Sequence, residues 1–179
     1  MSAMGINLIL AISMFYSIME TNSRFEFTNL NCTDFDLRVG EFEYCNLKSI
    51  NRSYKYVSGK YKLHQIPLPN MKINFIMWKR LNGYRPFLYN ITVDACKFIE
   101  NPKSNPVFKY IFESFSAYSN VNHSCPFSSD LIVERLPIGF MNHRVTEILP
   151  IPEGNYLVEF HFSHRKSIFA GTRVYFTIS

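Results

Sequence analysis

Apolar side chains recur at every second position along most of this chain, the period of strands that turn one face to an interior and the other to water. Met71, Ile73, Phe75 and Met77 alternate with Lys72, Asn74, Ile76 and Trp78. Tyr156, Val158, Phe160 and Phe162 alternate with Leu157, Glu159, His161 and Ser163, and Val174, Phe176 and Ile178 alternate with Arg173, Tyr175 and Thr177. Shorter runs at 25–30, 42–47 and 130–136 read as further strands. Between 51 and 63, placing Asn51 and Lys55 outward turns Tyr54 and Tyr56 inward. Beyond Ser58-Gly59 it is Tyr61 and Leu63 that face in against Lys60 and Lys62, so the parity flips and predicts a β-bulge at the glycine. One stretch departs from the period of two. From 107 to 118, Phe108, Ile111, Phe112 and Phe115 take the i, i+3, i+4, i+7 spacing of a helix, with Asn105 as N-cap and Pro106 at the first helical position. Together these elements predict a mainly β chain: an immunoglobulin-like two-sheet β-sandwich of about eight strands with one inserted α-helix.

The N-terminus reads differently. Residues 5–19 are apolar and uncharged but too short to span a bilayer, and polar residues follow from Glu20 to Arg24. This pattern predicts a signal peptide over 1–23 and one β-sandwich domain over 24–179, a size that supports one core. Four sequons agree with export: Asn31-Cys32-Thr33, Asn51-Arg52-Ser53, Asn90-Ile91-Thr92 and Asn122-His123-Ser124. A glycosylated Asn must face solvent. Putting Asn90 and Thr92 outside sends Phe87, Tyr89, Ile91 and Val93 inside, the same parity the apolar pattern demands.

Cysteines 32, 45, 96 and 125 are even in number and spaced too widely for a paired zinc motif, so an exported chain would oxidise them to two disulfides. Three pairings are open on sequence. Cys32 with Cys45 and Cys96 with Cys125 is favoured, because each closes a loop between neighbouring elements. The net charge of +5 is scattered, with no run of four Lys or Arg, which argues against nucleic acid as a partner. The short apolar leader argues against stable membrane insertion.

Catalytic and metal motifs are missing. None of His64, His123, His143, His161 and His164 lies in H-E-x-x-H, and neither G-x-S-x-G nor a P-loop occurs. His161 and His164 are near in sequence, but a spacing of three puts them on opposite faces of a strand. Asp34, Asp36, Glu41 and Glu43 form an acidic cluster whose alternate carboxylates face water near a strand edge. No enzyme, metal or cofactor is expected. What stands out is aromatic bulk: 17 Phe and 11 Tyr in one small domain exceed what two packed sheets usually need. The surplus predicts a cavity lined by Phe75, Met77, Phe87, Tyr89, Ile91, Phe108, Phe112, Phe160 and Phe162, with Trp78 on the outward face at a rim or under a loop.

Six stretches carry a family resemblance: residues 27–32 (FTNLNC), 42–48 (FEYCNLK), 79–90 (KRLNGYRPFLYN), 93–98 (VDACKF), 122–126 (NHSCP) and 150–156 (PIPEGNY). From about Phe25 onward the chain resembles a large insect family of small secreted proteins of unassigned function, and all four cysteines fall in its motifs. That family is distantly similar to lipid-recognition sandwiches like the ganglioside-activator and myeloid-differentiation lipid-binding proteins, and to insect chemosensory proteins. The resemblance implies sheets that part to admit an acyl chain. It transfers no ligand contact residue by residue. The expected protein is therefore a secreted carrier or presenter of a small hydrophobic ligand (a lipid, fatty-acid derivative or hydrocarbon cue), with a receptor or other extracellular protein as a second class of partner. The rival expectation is an extracellular protein-interaction or adhesive module with a solid core.

Overall fold

The computed structural model describes residues 23–51, 54–148 and 151–179, so the expected signal peptide, apart from its last residue, lies outside the described residues. Among the described residues eight strands form: β1 (Phe25–Asp34), β2 (Gly40–Ser49), β3 (Lys55–Leu63), β4 (Lys72–Leu81), β5 (Gly83–Asp94), β6 (Leu131–Pro137), β7 (Gly154–His164) and β8 (Ser167–Ile178). They make a five-stranded sheet in the order β1-β8-β7-β4-β5 and a three-stranded sheet in the order β2-β3-β6, with every pairing antiparallel. A mainly β, two-sheet sandwich of eight strands is thus present.

Period-two alternation aims the bulky side chains between the sheets. Phe75 of β4 pairs in register with Phe160 of β7, which pairs with Thr172 of β8, which pairs with Cys32 of β1. Cys32 points inward on that row and is bonded to Cys45 of β2, so a disulfide ties the two sheets together on the β1/β2 side. The second disulfide joins Cys96 to Cys125. With β1 beside β2, strands β5 and β6 form the opposite side, and the chain between them carries two helices, α1 (Ala95–Glu100) and α2 (Pro106–Glu113). Among the described residues no helix is long and apolar enough to cross a membrane.

Helix α2 begins as its sequence predicts: the Asn105 side chain accepts from the Phe108 N–H at 2.9 Å, and Pro106 opens the first turn. It ends sooner than the spacing implied. The Ser114 hydroxyl donates to the Tyr110 carbonyl, the Ser114 and Phe115 N–H groups shift to acceptors three residues back, and a 3₁₀ turn follows at Ser116–Tyr118. The expected single helix is also too few. Besides α1, capped by the Asp94 side chain on the Lys97 N–H, a helix α3 (Ile138–Asn142) runs into a π-helical turn (His143–Ile148). Elements this short hold too few apolar positions for a 3.6 period to show.

The reading of β3 needs correction. Val57, Tyr61 and Leu63 are buried on one parity and β3 carries no extra residue, so it does not flip at Gly59; Tyr56, expected inside, is buried as well, on the other parity. The extra residues belong to its neighbours instead: Glu43 in β2, and one in β6, where Arg135 adopts φ 52° and its N–H donates to the Ser58 hydroxyl. Tyr54, expected inside, is exposed. Its N–H donates to Asn51 Oδ1 and its carbonyl accepts from Ile50, a turn across which parity counted from Asn51 does not carry.

Candidate functional site: an apolar cavity between the sheets

A cavity of about 660 Å³ lies between the sheets. One wall is the inner face of the five-stranded sheet, including Phe160 and Val174; the other is β3 and β6, including Val57 and Val133; α2 closes a side with Phe108 and Ile111. Of the nine residues expected to line a cavity, seven do so: Phe75, Met77, Tyr89, Phe108, Phe112, Phe160 and Phe162. Phe87 and Ile91 do not, although both pack against the same hydrophobic cluster. Strand β5 bulges opposite Met77, where residues 87–89 occupy the register gap between Asn90 and Pro86 and Leu88 takes φ 60°. The bulge turns Phe87 aside onto Tyr156, with ring centroids 5.6 Å apart. Ile91 sits beyond Phe75 on the sheet's edge strand.

Sequence reasoning missed the facing sheet, Val57, Leu131 and Val133, and it missed Thr172. Val174 was legible from its alternation. Thr172 was hidden because Gly171 and Thr172 interrupt the apolar run with small and polar residues.

Helix α2 is also fastened to the segment that follows α3. The Arg144 guanidinium lies 4.3 Å from the Tyr110 ring, donates to the Tyr110 carbonyl at 2.7 Å and approaches Glu113 at 3.5 Å, while the Tyr110 hydroxyl donates to the Arg144 carbonyl. These bonds fix α2 to the turn after α3. Three lining residues are exposed: Leu88 on the β5 bulge, Pro106 at the start of α2, and Pro152 before β7.

Among the described residues no Lys, Arg, His, Asp or Glu lines the cavity. The Tyr61 phenol, buried and without a hydrogen-bond partner, is pushed well above the usual tyrosine range by burial first and by Asp34, Asp36 and Glu41 beyond it, so it stays neutral. The acidic cluster lies elsewhere and is engaged. Asp34 accepts from the Phe42 N–H, Asp36 pairs with Arg38 at 2.8 Å, Glu43 pairs with Lys60 at 2.7 Å, and Glu41 lies 3.5 Å from His64. His164 is buried with Nδ1 against the Asn70 carbonyl, and among the described residues no three ligating side chains gather.

Trp78 is on the outward face, as its parity predicts, but half-buried there. Its Nε1 donates to Glu159 Oε2 at 2.9 Å, and Arg173 donates to Oε1 of the same carboxylate at 2.6 Å. The four sequon asparagines, 31, 51, 90 and 122, are all exposed.

Fold and site together define a class: a disulfide-tied two-sheet sandwich around a large uncharged cavity. The family model described as "Protein of unknown function (DUF1091)" matches residues 73–158, which run from β4 to β7 and include all of the helical insertion. The resemblance to a family without assigned function is met over that segment. Among solved structures, a Niemann-Pick type C2 protein from Japanese carpenter ant is similar at 15% identity, covering 81% of this chain and 96% of that one with a TM-score of 0.37. No curated protein sequence matches.

Proposed function

We propose that this is a secreted, N-glycosylated binding protein that carries or presents a small hydrophobic ligand, and that it is not an enzyme. One observation carries the reading: a cavity of about 660 Å³ that is walled by apolar side chains, with exposed residues, Leu88, Pro106 and Pro152, among those that line it. That volume is within the range of small-molecule sites, and an apolar wall favours an apolar guest. Desolvation would drive binding. Each buried methylene contributes about 0.8 kcal/mol, so roughly ten of them reach micromolar affinity without a polar contact. The disulfides and the exposed sequon asparagines support passage through an oxidising, glycosylating compartment.

A solid-cored adhesive module finds less support, because the interior is not filled and Trp78 is committed to Glu159. The test is native mass spectrometry and lipid extraction of the protein secreted from insect cells. A co-purified apolar molecule, or saturable uptake of a neutral fluorescent probe after delipidation, is the expected result. A delipidated protein that takes up no apolar probe would refute the proposal.

A further inference from the structure

Resting on the carrier reading, we infer that the cavity selects uncharged ligands of about 20 non-hydrogen atoms, and that the Thr172 hydroxyl takes the polar end of those that have one. The size follows from the volume. About 660 Å³ corresponds to some 20 groups the size of a water molecule, each needing roughly 30 Å³ in a liquid.

Neutrality follows from the wall. A carboxylate or ammonium drawn inside would lose its hydration and meet no opposite charge, the costliest way to bury an ion. Two cations next to the lining residues are already used. Lys79 Nζ donates to the Glu153 carbonyl at 2.9 Å and sits over the Phe87 and Tyr156 rings, and Arg144 is held by Tyr110 and Glu113. Neither is free to meet a ligand's carboxylate.

Most polar groups of the wall are also spent. Ser58 accepts from the Arg135 N–H and donates to Glu134, Ser114 donates to the Tyr110 carbonyl, and the Tyr110 hydroxyl donates to Arg144. The Tyr61 hydroxyl has no partner but is sealed from the void, its ring so close to Gly40 that a Cβ there would lie 2.7 Å from it. Two hydroxyls differ, those of Tyr89 and Thr172: both residues line the cavity, and among the described residues neither hydroxyl has a hydrogen-bond partner or a place among the sealed atoms. Tyr89 lies on the edge strand β5 beside the exposed Leu88, whereas Thr172 sits mid-strand on the inward parity of β8 between Phe160 and Cys32, which places its hydroxyl deeper in the apolar wall. A lone hydroxyl in an apolar wall can donate to a carbonyl or exchange a hydrogen bond with an alcohol, and it cannot neutralise an ion.

The experiment is competitive displacement of N-phenyl-1-naphthylamine from the delipidated, secreted protein at neutral pH, using octadecane, octadecanol, methyl palmitate, stearate and octadecylamine. Octadecanol and methyl palmitate should compete at least about 10-fold more tightly than either ion, reflecting the ion's unpaired burial. In Thr172→Val, an isosteric change, their affinity should fall roughly 2- to 10-fold, the worth of one hydrogen bond, while that of octadecane stays unchanged. Stearate or octadecylamine binding as tightly as octadecanol would overturn the neutral selection. An alcohol-to-alkane ratio untouched by Thr172→Val would overturn the role of Thr172. If neither the probe nor octadecane binds, the carrier reading fails and the inference with it.

Discussion

On the outer face of the five-stranded sheet, Trp78, Glu159 and Arg173 come together from β4, β7 and β8 and occupy one another's hydrogen-bonding groups; on the inner face of the same strands, Phe75, Phe160 and Thr172 border a cavity. Both faces follow from one alternation of residues. They differ in where their partners are. The outer cluster is completed by neighbours within the sheet, at distances that register alone sets. The inner residues depend on a second layer whose spacing is fixed elsewhere, by the Cys32–Cys45 bond on one side and by the clasp of Arg144 on Tyr110 that holds α2. Parity decides which face a side chain joins, and the spacing of the layers decides whether that face is filled.

The comparison can be broken by substitution on either face. The largest effect belongs to Phe75→Ala. This ring is 4% exposed and meets Phe160 with centroids 5.3 Å apart, so its loss should cost about 3–5 kcal/mol in urea unfolding. A cost well below that range would mean that the ring already lacks neighbours. On the outer face, Glu159→Leu leaves the Trp78 N–H and Arg173 without their acceptor. Because Arg173 is half exposed and rehydrates, the loss should be only about 1–2 kcal/mol. An unchanged midpoint would show the cluster to be incidental.

Smaller still is the expected cost of adding bulk beside the cavity. Val158 lines it on β7, and Val158→Phe should change stability by less than about 1.5 kcal/mol because the new ring has room, while uptake of a neutral apolar probe falls sharply. A severe loss of stability would indicate a tightly packed site. The smallest effect is at the surface. The hydrogen bond from Lys55 holds the Glu26 carboxyl below its usual range, so its stabilisation is complete above the unfolded carboxylate pKa and is lost as pH falls through the lowered folded value. The stability difference between the protein and Glu26→Gln should therefore disappear in acid, and a difference that grows there would contradict the assignment.

Much of this was legible in the chain. The alternations through Met71–Met77, Tyr156–Phe162 and Val174–Ile178 give β4, β7 and β8 and their inward faces, and Asn105-Pro106 marks the start of α2. Parity failed where backbone irregularity intervened: the hydrogen bond of Tyr54 back to Asn51 and the bulge at Leu88 each mark a break in the count that assigns a face, and on β3 the flip read at Gly59 is absent because the extra residues belong to β2 and β6. α1 and α3 were missed for want of length. The cavity residues on β3 and β6 were illegible for another reason, since no local pattern records which residues a facing sheet will present or how far away it stands.

The most direct measurement is diffraction from crystals of the secreted, delipidated protein under xenon pressure, since xenon enters dry apolar cavities without needing a specific ligand. Xenon density between the sheets beside Phe160, Val174 and Val133, weakened in Val158→Phe, is the predicted result. Rings from the two sheets in direct contact at those positions, with no xenon between them, would contradict the account.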